Sequence, residues 1–336
     1  MKAIIPVAGI GSKLRPHTHT QPKALVPVAG KPILSHIVDT LISGGIKDYC
    51  FIIGYLGDKI ESFIEEYYQA EELNVEFVVQ EPREGIGHAL WCARESIRGQ
   101  KEVLIMLGDT ILNLDIKEFL KVPQSALGTK KVETPGNFGV VEIDTQDNVK
   151  RLIEKPKIPK SNLALVGIYK LNKPTLFVES LEQIIGRGIK TLGEYQLTDA
   201  LMEMLKHGES MSIFPVNNWY DCGKKESLLE ANGILLSSDE FMTTSDYNFP
   251  NSIIIPPVSI ANNCRIENSI IGPNVAIGED TLIRNSIIEN SIIGSFSSLE
   301  VAVLNGSVIG SDTILKGPSQ SLNIGDNTEI NFSSYD

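Results

Sequence analysis

Residues 251–330 carry 17 isoleucines against 3 alanines, and their apolar side chains recur at intervals of five or six: Ile254, Ile260, Ile266, Ile271, Ile277, Ile283, Ile288, Ile293 and Leu299. This composition disfavours helix and favours β-rich packing. Glycine often follows the isoleucine, as in I-I-G-P-N-V-A-I-G-E-D and S-I-I-G-S. A lone Ile-Gly pair carries no information, whereas nine positions in register amount to a hexapeptide-type repeat. Such a repeat predicts a parallel β-helix over 251–336, with three flat faces per coil.

The chain ahead of the repeats follows different rules. Ile4–Val7 reads as a buried strand, and Ile33, Leu34, Ile37, Val38, Leu41 and Ile42 then recur at helical spacing between Pro32 and Gly44-Gly45. Strands are predicted at Tyr49–Ile53, Val75–Val79 and Val103–Leu107, with helices at Lys59–Tyr68 and His88–Ile97. This alternation predicts an α/β fold, a Rossmann-like mixed and mostly parallel sheet with helices on both faces. Ligands of such sheets sit beyond the carboxyl ends of the strands, where Gly9, Gly11, Gln80, Gly108 and Asp109 fall. From Lys130 the pattern is less regular. Strands are expected over 138–144 and 163–169, with I-E-K-P (153–156) between them, and helices near 174–185, 194–206 and 224–236. The expected division is a first domain over 1–236, a linker over 237–250 and the repeats over 251–336.

Charge is distributed unevenly. The 336 residues carry a net −12, yet the first 38 hold five Lys/Arg and no carboxylate. From residue 236 onward, 12 Asp/Glu face 3 Lys/Arg. A positive patch in an acidic protein suits a small polyanion, and neither half shows the broad basic face of a nucleic-acid binder. Cys50, Cys92, Cys222 and Cys264 form no C-x-x-C pair, and they read as reduced thiols of an intracellular protein. No apolar run reaches the roughly 18 residues of a membrane helix, and the first strand lacks a cleavage site, so the expected location is cytoplasmic.

The glycine turn after the first strand lacks G-x-x-x-x-G-K-[ST], and Leu14 stands where a dinucleotide fingerprint needs its third glycine. What remains is Gly9-Ile10-Gly11-Ser12, whose bare amides line an anion site with Lys13, Arg15 and Lys23 nearby.

Gly9-Ile10-Gly11-Ser12-Lys13-Leu14-Arg15-Pro16, followed by Pro22-Lys23, resembles the G-x-G-[ST]-R-L-x-P…P-K signature of sugar-1-phosphate nucleotidylyltransferases. The thymidylyl-, uridylyl- and mannose-1-phosphate guanylyltransferases belong to this group. The match continues in order through V-Q-E-P-R-E-G-I-G-H-A (79–89), L-G-D-T (107–110), F-G-V-V (138–141), E-K-P (154–156), Q-L-T-D (196–199) and W-Y-D-C-G (219–223). It covers about the first 235 residues, and the repeats resemble the left-handed β-helix many of these enzymes carry.

The resemblance implies attack by a sugar 1-phosphate oxygen on the α-phosphorus of a nucleoside triphosphate, with pyrophosphate leaving. The nucleophile is already an anion, so the chemistry asks for alignment and charge neutralisation rather than a general base. By resemblance, Lys13 grips the triphosphate, Lys23 bridges the reacting phosphates and Lys155 holds the sugar phosphate. Asp109 and Asp221 occupy the family's Mg²⁺ positions, as suits a hard cation. Ala8, Gly9, Gly11, Ser12, Gln80 and Gly85 join Lys13 and Asp109 around the nucleotide. Gly139, Glu154, Gly167 and Trp219 join Lys23 and Lys155 around the sugar phosphate. Glucose 1-phosphate with dTTP or UTP is the first expectation.

The resemblance departs at Lys13, where the family usually has arginine; lysine keeps the charge and loses the two-pronged donor geometry. His17 and His19 flank the loop and read as loop polarity, and His36 and His88 as structural. A second function class is a catalytically weak regulatory or assembly subunit. A third makes the repeats an acyltransferase, but residues 208–336 contain no histidine to serve as its base. The repeats are therefore expected to assemble a homo-oligomer.

Overall fold

In the computed structural model, residues 1–238, 247–317 and 328 are described. The chain divides into two units, Met1–Thr243 and Thr244–Asp336. Most of the expected linker, residues 239–246, and the end of the chain beyond 317 (Thr328 apart) lie outside the described residues.

The first unit is built on β1 (Lys2–Pro6), β2 (Asp48–Ile53), β3 (Asn74–Val79) and β4 (Val103–Met106), which pair in parallel in the order β4-β1-β2-β3. A short ribbon strand, β5 (Thr110–Asn113), follows β4. The sheet then continues on its other side with β6 (Ser125–Lys131), β7 (Gly139–Ile143), β8 (Val149–Glu154), β9 (Leu163–Leu171) and β10 (Met211–Pro215). Here β9 runs antiparallel to β4, β6 and β7, and β7 antiparallel to β8, while β10 is parallel to β6. The nine-stranded sheet is thus parallel where the glycine turn lies and largely antiparallel beyond β4.

Both faces are covered. Ile4, Cys50, Ile52 and Ile105 pack with Phe177, Val178 and Leu181 of α6 (Pro174–Gly186) and Leu201 and Met204 of α7 (Leu197–Lys206). Their neighbours along each strand, Ile5, Tyr49 and Phe51, point the other way and are equally buried. Such two-sided burial explains why these strands read as continuous apolar runs. Helix α1 (Ile33–Ser43) buries Ile33, Leu34, Ile37, Val38 and Leu41, the positions picked out by helical spacing. Helix α2 covers Gly57–Tyr67.

Two local expectations are corrected. The helix expected over His88–Ile97 is two pieces, α3 (Ile86–Cys92) and α4 (Arg94–Arg98), because Ala93 departs from helical geometry at ψ 13. Helix α7 starts at Leu197 rather than 194, so Glu194 to Gln196 form a loop against the site. Between the strands expected over 138–144 and 163–169 lies a further strand, β8, which ends on Ile153 and Glu154 of I-E-K-P and sets Glu154 directly opposite Gly139. The remaining helices are α5 (Ile116–Lys121) and α8 (Lys225–Leu236).

The second unit is a left-handed β-helix. Its strands stack in three four-stranded parallel sheets, with registers such as Ile253↔Ile270↔Ile287↔Val303 and Ile266↔Ile283↔Leu299↔Leu315. Ile253, Ile270 and Ile287 are 17 residues apart and Ile287 to Val303 is 16, so each coil is slightly less than three hexapeptides. All nine residues at the five-to-six interval belong to one apolar column inside the coils. The corners are turned by Asn251, Asn268 and Asn285 at φ near +50°, a conformation asparagine tolerates. Beside them a serine ladder takes up backbone donors: Ser269 N–H donates to Ser252 Oγ, Ser286 N–H to Ser269 Oγ and Ala302 N–H to Ser286 Oγ, at 3.0–3.2 Å.

Candidate active site

The chain leaves β1 through Val7 and Ala8 into the glycine turn, and a single 3-10 turn follows at Ser12–Leu14. Gly11 sits at φ +67, and its carbonyl accepts from Leu14 N–H at 2.9 Å and Thr18 Oγ1 at 2.9 Å. A Cβ there would stand 2.8 Å from Lys23 Cβ. Glycine is thus needed twice over, for backbone sign and for the Lys23 stem to pass against the turn.

Lys23 then reaches Asp109, its Nζ lying 2.7 Å from Oδ2. Asp109 ends the β4 connection immediately before β5. A second short strand, β11 (Asn218–Asp221), pairs antiparallel with β5 and puts Asp221 opposite Thr110. The Cys222 N–H closes the ribbon on the Asp109 carbonyl at 3.1 Å. Two carboxylates far apart in sequence are thereby locked side by side.

Their surroundings drive them in opposite directions. Burial acts to raise the Asp109 carboxyl, but the Lys23 ammonium and the Thr110 hydroxyl outweigh it and hold Asp109 below the ordinary carboxylate range. Asp221 is pushed up, by burial first and by the Asp109 charge second, against the opposing pull of Lys23, the Gly223 N–H and Lys13. Asp221 is therefore the less compensated carboxylate of the two. Hard oxygen donors in that condition suit a divalent cation. Among the described residues no group of three or more His, Cys, Asp or Glu gathers into a cage, so such a cation would complete its shell with phosphate oxygens and water.

The cations and carboxylates face a cleft with two lobes that share Gly9, Gly11, Ser12, Lys23, Asp109 and Glu194. One lobe, of about 470 Å³, is also lined by Ala8, Gln80, Arg83 and Gly85. The other, of about 500 Å³, is lined by Lys13, Gly139, Glu154, Lys155, Gly167, Trp219 and Asp221. Every residue given a role by the family resemblance lines one lobe or both. Lys13 lines only the second lobe, and Arg15 is exposed and lines neither. A wider open groove of about 1490 Å³ over β6, β7 and β9 holds none of them.

Within the second lobe Glu154 accepts from Thr198 Oγ1 at 3.2 Å and lies 3.7 Å from Lys155 Nζ. Burial pushes its carboxyl up, with Lys155 and Thr198 opposing. Trp219 packs edge-on against Phe138 at 4.7 Å, and its indole N–H has no partner among the described residues. Gly167 lies where the β9–β6 register shifts, and its carbonyl accepts from Leu107 N–H at 2.9 Å.

Sequence reading gave no role to Glu194, Gln196 or Thr198, all of which line the second lobe. The Q-L-T-D match was the available signal for the last two. Glu194 lies just outside that segment, and the long loop that delivers it is invisible to spacing. Helix Cβ positions could not reveal Lys224 either, which enters the same lobe ahead of α8.

A glycine turn, ammonium groups and paired carboxylates at the strand ends of an α/β sheet give this cleft the charge and the size that suit the phosphates of a nucleotide-sized ligand. Residues 2–238 match the family described as nucleotidyl transferase, and the chain belongs to that family. Residues 230–317 match the GlmU-like C-terminal hexapeptide family. The low-salt glycan biosynthesis nucleotidyltransferase Agl11 of Haloferax volcanii is 36% identical over 245 residues, covering 70% of this chain and 66% of the relative. The bifunctional protein GlmU of Methanococcus vannielii is 36% identical over 261 residues, covering 76% of this chain and 59% of its own length. The glucose-1-phosphate thymidylyltransferase of Streptomyces griseus is 28% identical over 331 residues, covering 95% and 88%. The chain thus spans under two thirds of the first two relatives. Among solved structures, a UDP-glucose pyrophosphorylase complexed with UDP-glucose superposes with a TM-score of 0.60 at 25% identity, covering 70% of this chain and 97% of the other.

Proposed function

We propose that this protein joins a nucleoside triphosphate to a sugar 1-phosphate, releasing pyrophosphate, with glucose 1-phosphate and dTTP or UTP as the first substrates to try. The observation that carries the reading is the convergence of Lys23, Asp109 and Asp221 on one cleft whose two lobes are each large enough for one reactant. In this reading the lobe with Gln80 and Gly85 takes the nucleoside, and the lobe with Glu154, Gly139 and Trp219 takes the sugar.

Lys23, held by Asp109 and by its packing on Gly11, stands at the boundary and bridges the two sets of phosphates. Lys13, on the sugar-side lobe next to the glycine turn that both lobes share, grips the phosphate end of the triphosphate and Lys155 the sugar phosphate, so that two anions that repel in water are held in line. Asp109 and Asp221 hold Mg²⁺, which when bound neutralises phosphate charge and orients the leaving pyrophosphate. Glu154 and the Trp219 indole N–H meet sugar hydroxyls. The enzyme works in the cytoplasm; no helix among the described residues is long and apolar enough to cross a membrane.

The β-helix assembles copies of the chain. Its support is an outward apolar row on one face, where Ile253 is 58%, Ile287 40% and Val303 79% exposed. A monomer by sedimentation at micromolar concentration contradicts this part.

Pyrophosphate release from five nucleoside triphosphates crossed with glucose-, mannose-, galactose- and N-acetylglucosamine-1-phosphate tests the activity. Lys13→Ala is expected to cut release at least about 100-fold, as loss of a cation on a transferring phosphate does. Release close to the parental rate removes Lys13 from the mechanism, and no release from any pair removes the enzymatic reading.

A further inference from the structure

At the far end of the nucleoside-side lobe lies a buried polar cluster with no part in phosphate handling. Gln80 follows β3, is 5% exposed, and donates its backbone N–H to the Ile53 carbonyl at 2.9 Å. Its side-chain Nε2 lies 2.9 Å from the Gly85 carbonyl and 3.4 Å from His88 Nδ1. Only the NH₂ end of the amide suits that place, because the reverse orientation sets two carbonyl oxygens against each other. Both amide hydrogens are thereby spent inside the protein. Oε1 is the end left for a ligand, and among the described residues no donor is hydrogen-bonded to it.

His88 is gripped from several sides. It lies on α3, is 6% exposed, and its ring centroid is 5.6 Å from Trp91 and 6.5 Å from Tyr195. Cys92 Sγ is 3.8 Å from Nδ1. The charged groups facing the ring, Glu84 and Lys190, pair with each other at 3.2 Å, and Lys190 also sits 4.7 Å over the Tyr195 ring. Burial pushes the imidazole below its ordinary range, with Glu84 acting to raise it and Lys190 to lower it. A neutral ring that accepts at Nδ1 carries its proton on Nε2.

We propose that His88 is a positioning residue for base selection: by taking one Gln80 amide hydrogen while Gly85 takes the other, it leaves Gln80 as an acceptor only, so the lobe favours bases with an N–H at the middle of their pairing edge. Uracil, thymine and guanine offer that N–H, whereas cytosine and adenine present a lone pair there. This selection rests on the nucleotide-transfer reading and narrows its first substrate.

Calorimetric binding of the five triphosphates to the full chain, without sugar phosphate, is the test. UTP, dTTP and GTP are expected to bind at least about tenfold more tightly than CTP and ATP, the scale of one mismatched base-edge contact. His88→Leu is expected to shrink that ratio to below about threefold, while His88→Asn, which keeps an acceptor near the Nδ1 position, restores most of it. Nitrogen NMR of the unmutated protein gives a readout that survives a misfolded variant, and His88 is expected as the Nε2–H tautomer. Equal affinity for all five, undiminished selection in a folded His88→Leu protein, or an Nδ1–H tautomer overturns the assignment while leaving nucleotide transfer intact. If no triphosphate binds, nucleotide transfer itself falls, and the base selection with it.

Discussion

Both units bury polar groups, and they settle them differently. In the β-helix, Ser286 Oγ donates to the Arg284 carbonyl at 2.7 Å and accepts from Ala302 N–H at 3.0 Å, and the rung below repeats the pattern through Ser269. Each hydroxyl donates within its own coil, to the carbonyl two residues back, and accepts from the backbone of the next coil. In the α/β unit, Asp221 is pushed up beside Asp109, Glu154 is pushed up by burial, and the Trp219 N–H has no partner among the described residues. These three groups share one cleft. Among the described residues every buried side-chain polar atom without a partner belongs to the α/β unit. Of these only the Trp219 nitrogen lines the cleft, where it and two raised carboxyls leave a set that a ligand can complete.

That contrast is broken most directly at the carboxylate pair. Asp221→Asn removes one charge without changing shape and is expected to reduce pyrophosphate release by about 10³-fold, with the melting temperature unchanged or raised. Near-parental release would mean that the unbalanced charge is structural. A core change in the other unit should do the reverse: Ile283→Ala is expected to cost about 2–5 kcal/mol of stability in denaturant titration, with release per folded molecule within about twofold of parental.

Acid separates the units next, because residues 244–336 contain no histidine whereas His36 is buried in α1. Burial takes the His36 imidazole down to about 4, and its neutral Nε2–H donates to the Val28 carbonyl at 2.9 Å. Between about 6.5 and 4 the unfolded chain binds the proton that the folded one refuses, so stability falls as pH drops through that window and is untouched above it. His36→Gln keeps a donor for the carbonyl and is expected to remove an acid-linked loss of order 3 kcal/mol, seen as a flatter melting profile over that window. The smallest effect belongs to the ladder itself. Ser286→Ala is expected to cost about 1–3 kcal/mol by stranding the Ala302 N–H, and no loss at all would show that water replaces the hydroxyl.

The apolar column of the β-helix was legible, since one interval determines which side chains enter it, whereas the corners were not: Phe296 and Val301 take positive φ there alongside the asparagines. In the α/β unit the long buried strands and α1 were equally plain, because period and caps act locally. The short strands β5 and β11 left no trace: four residues of mixed polarity exist as strands only because each pairs with the other. For the same reason the Asp109–Asp221 adjacency came from resemblance, not spacing. The break at Ala93 and the loop ending at Gln196 are set by packing between α3, α6 and α7, which no single window of sequence contains. Motif order found the residues of the cleft, while Glu194 and the Gln80–His88 orientation required coordinates.

The ribbon formed by β5 and β11 has a consequence for how the molecule comes into being. One carboxylate of the pair is synthesised 112 residues before the other, since 221 minus 109 is 112. A growing polypeptide that has already made its glycine turn, Lys23 and Asp109 therefore owns an incomplete centre until the last strand of the first unit is delivered. On the function proposed above, the carboxylate pair is complete only once that late strand has paired with β5.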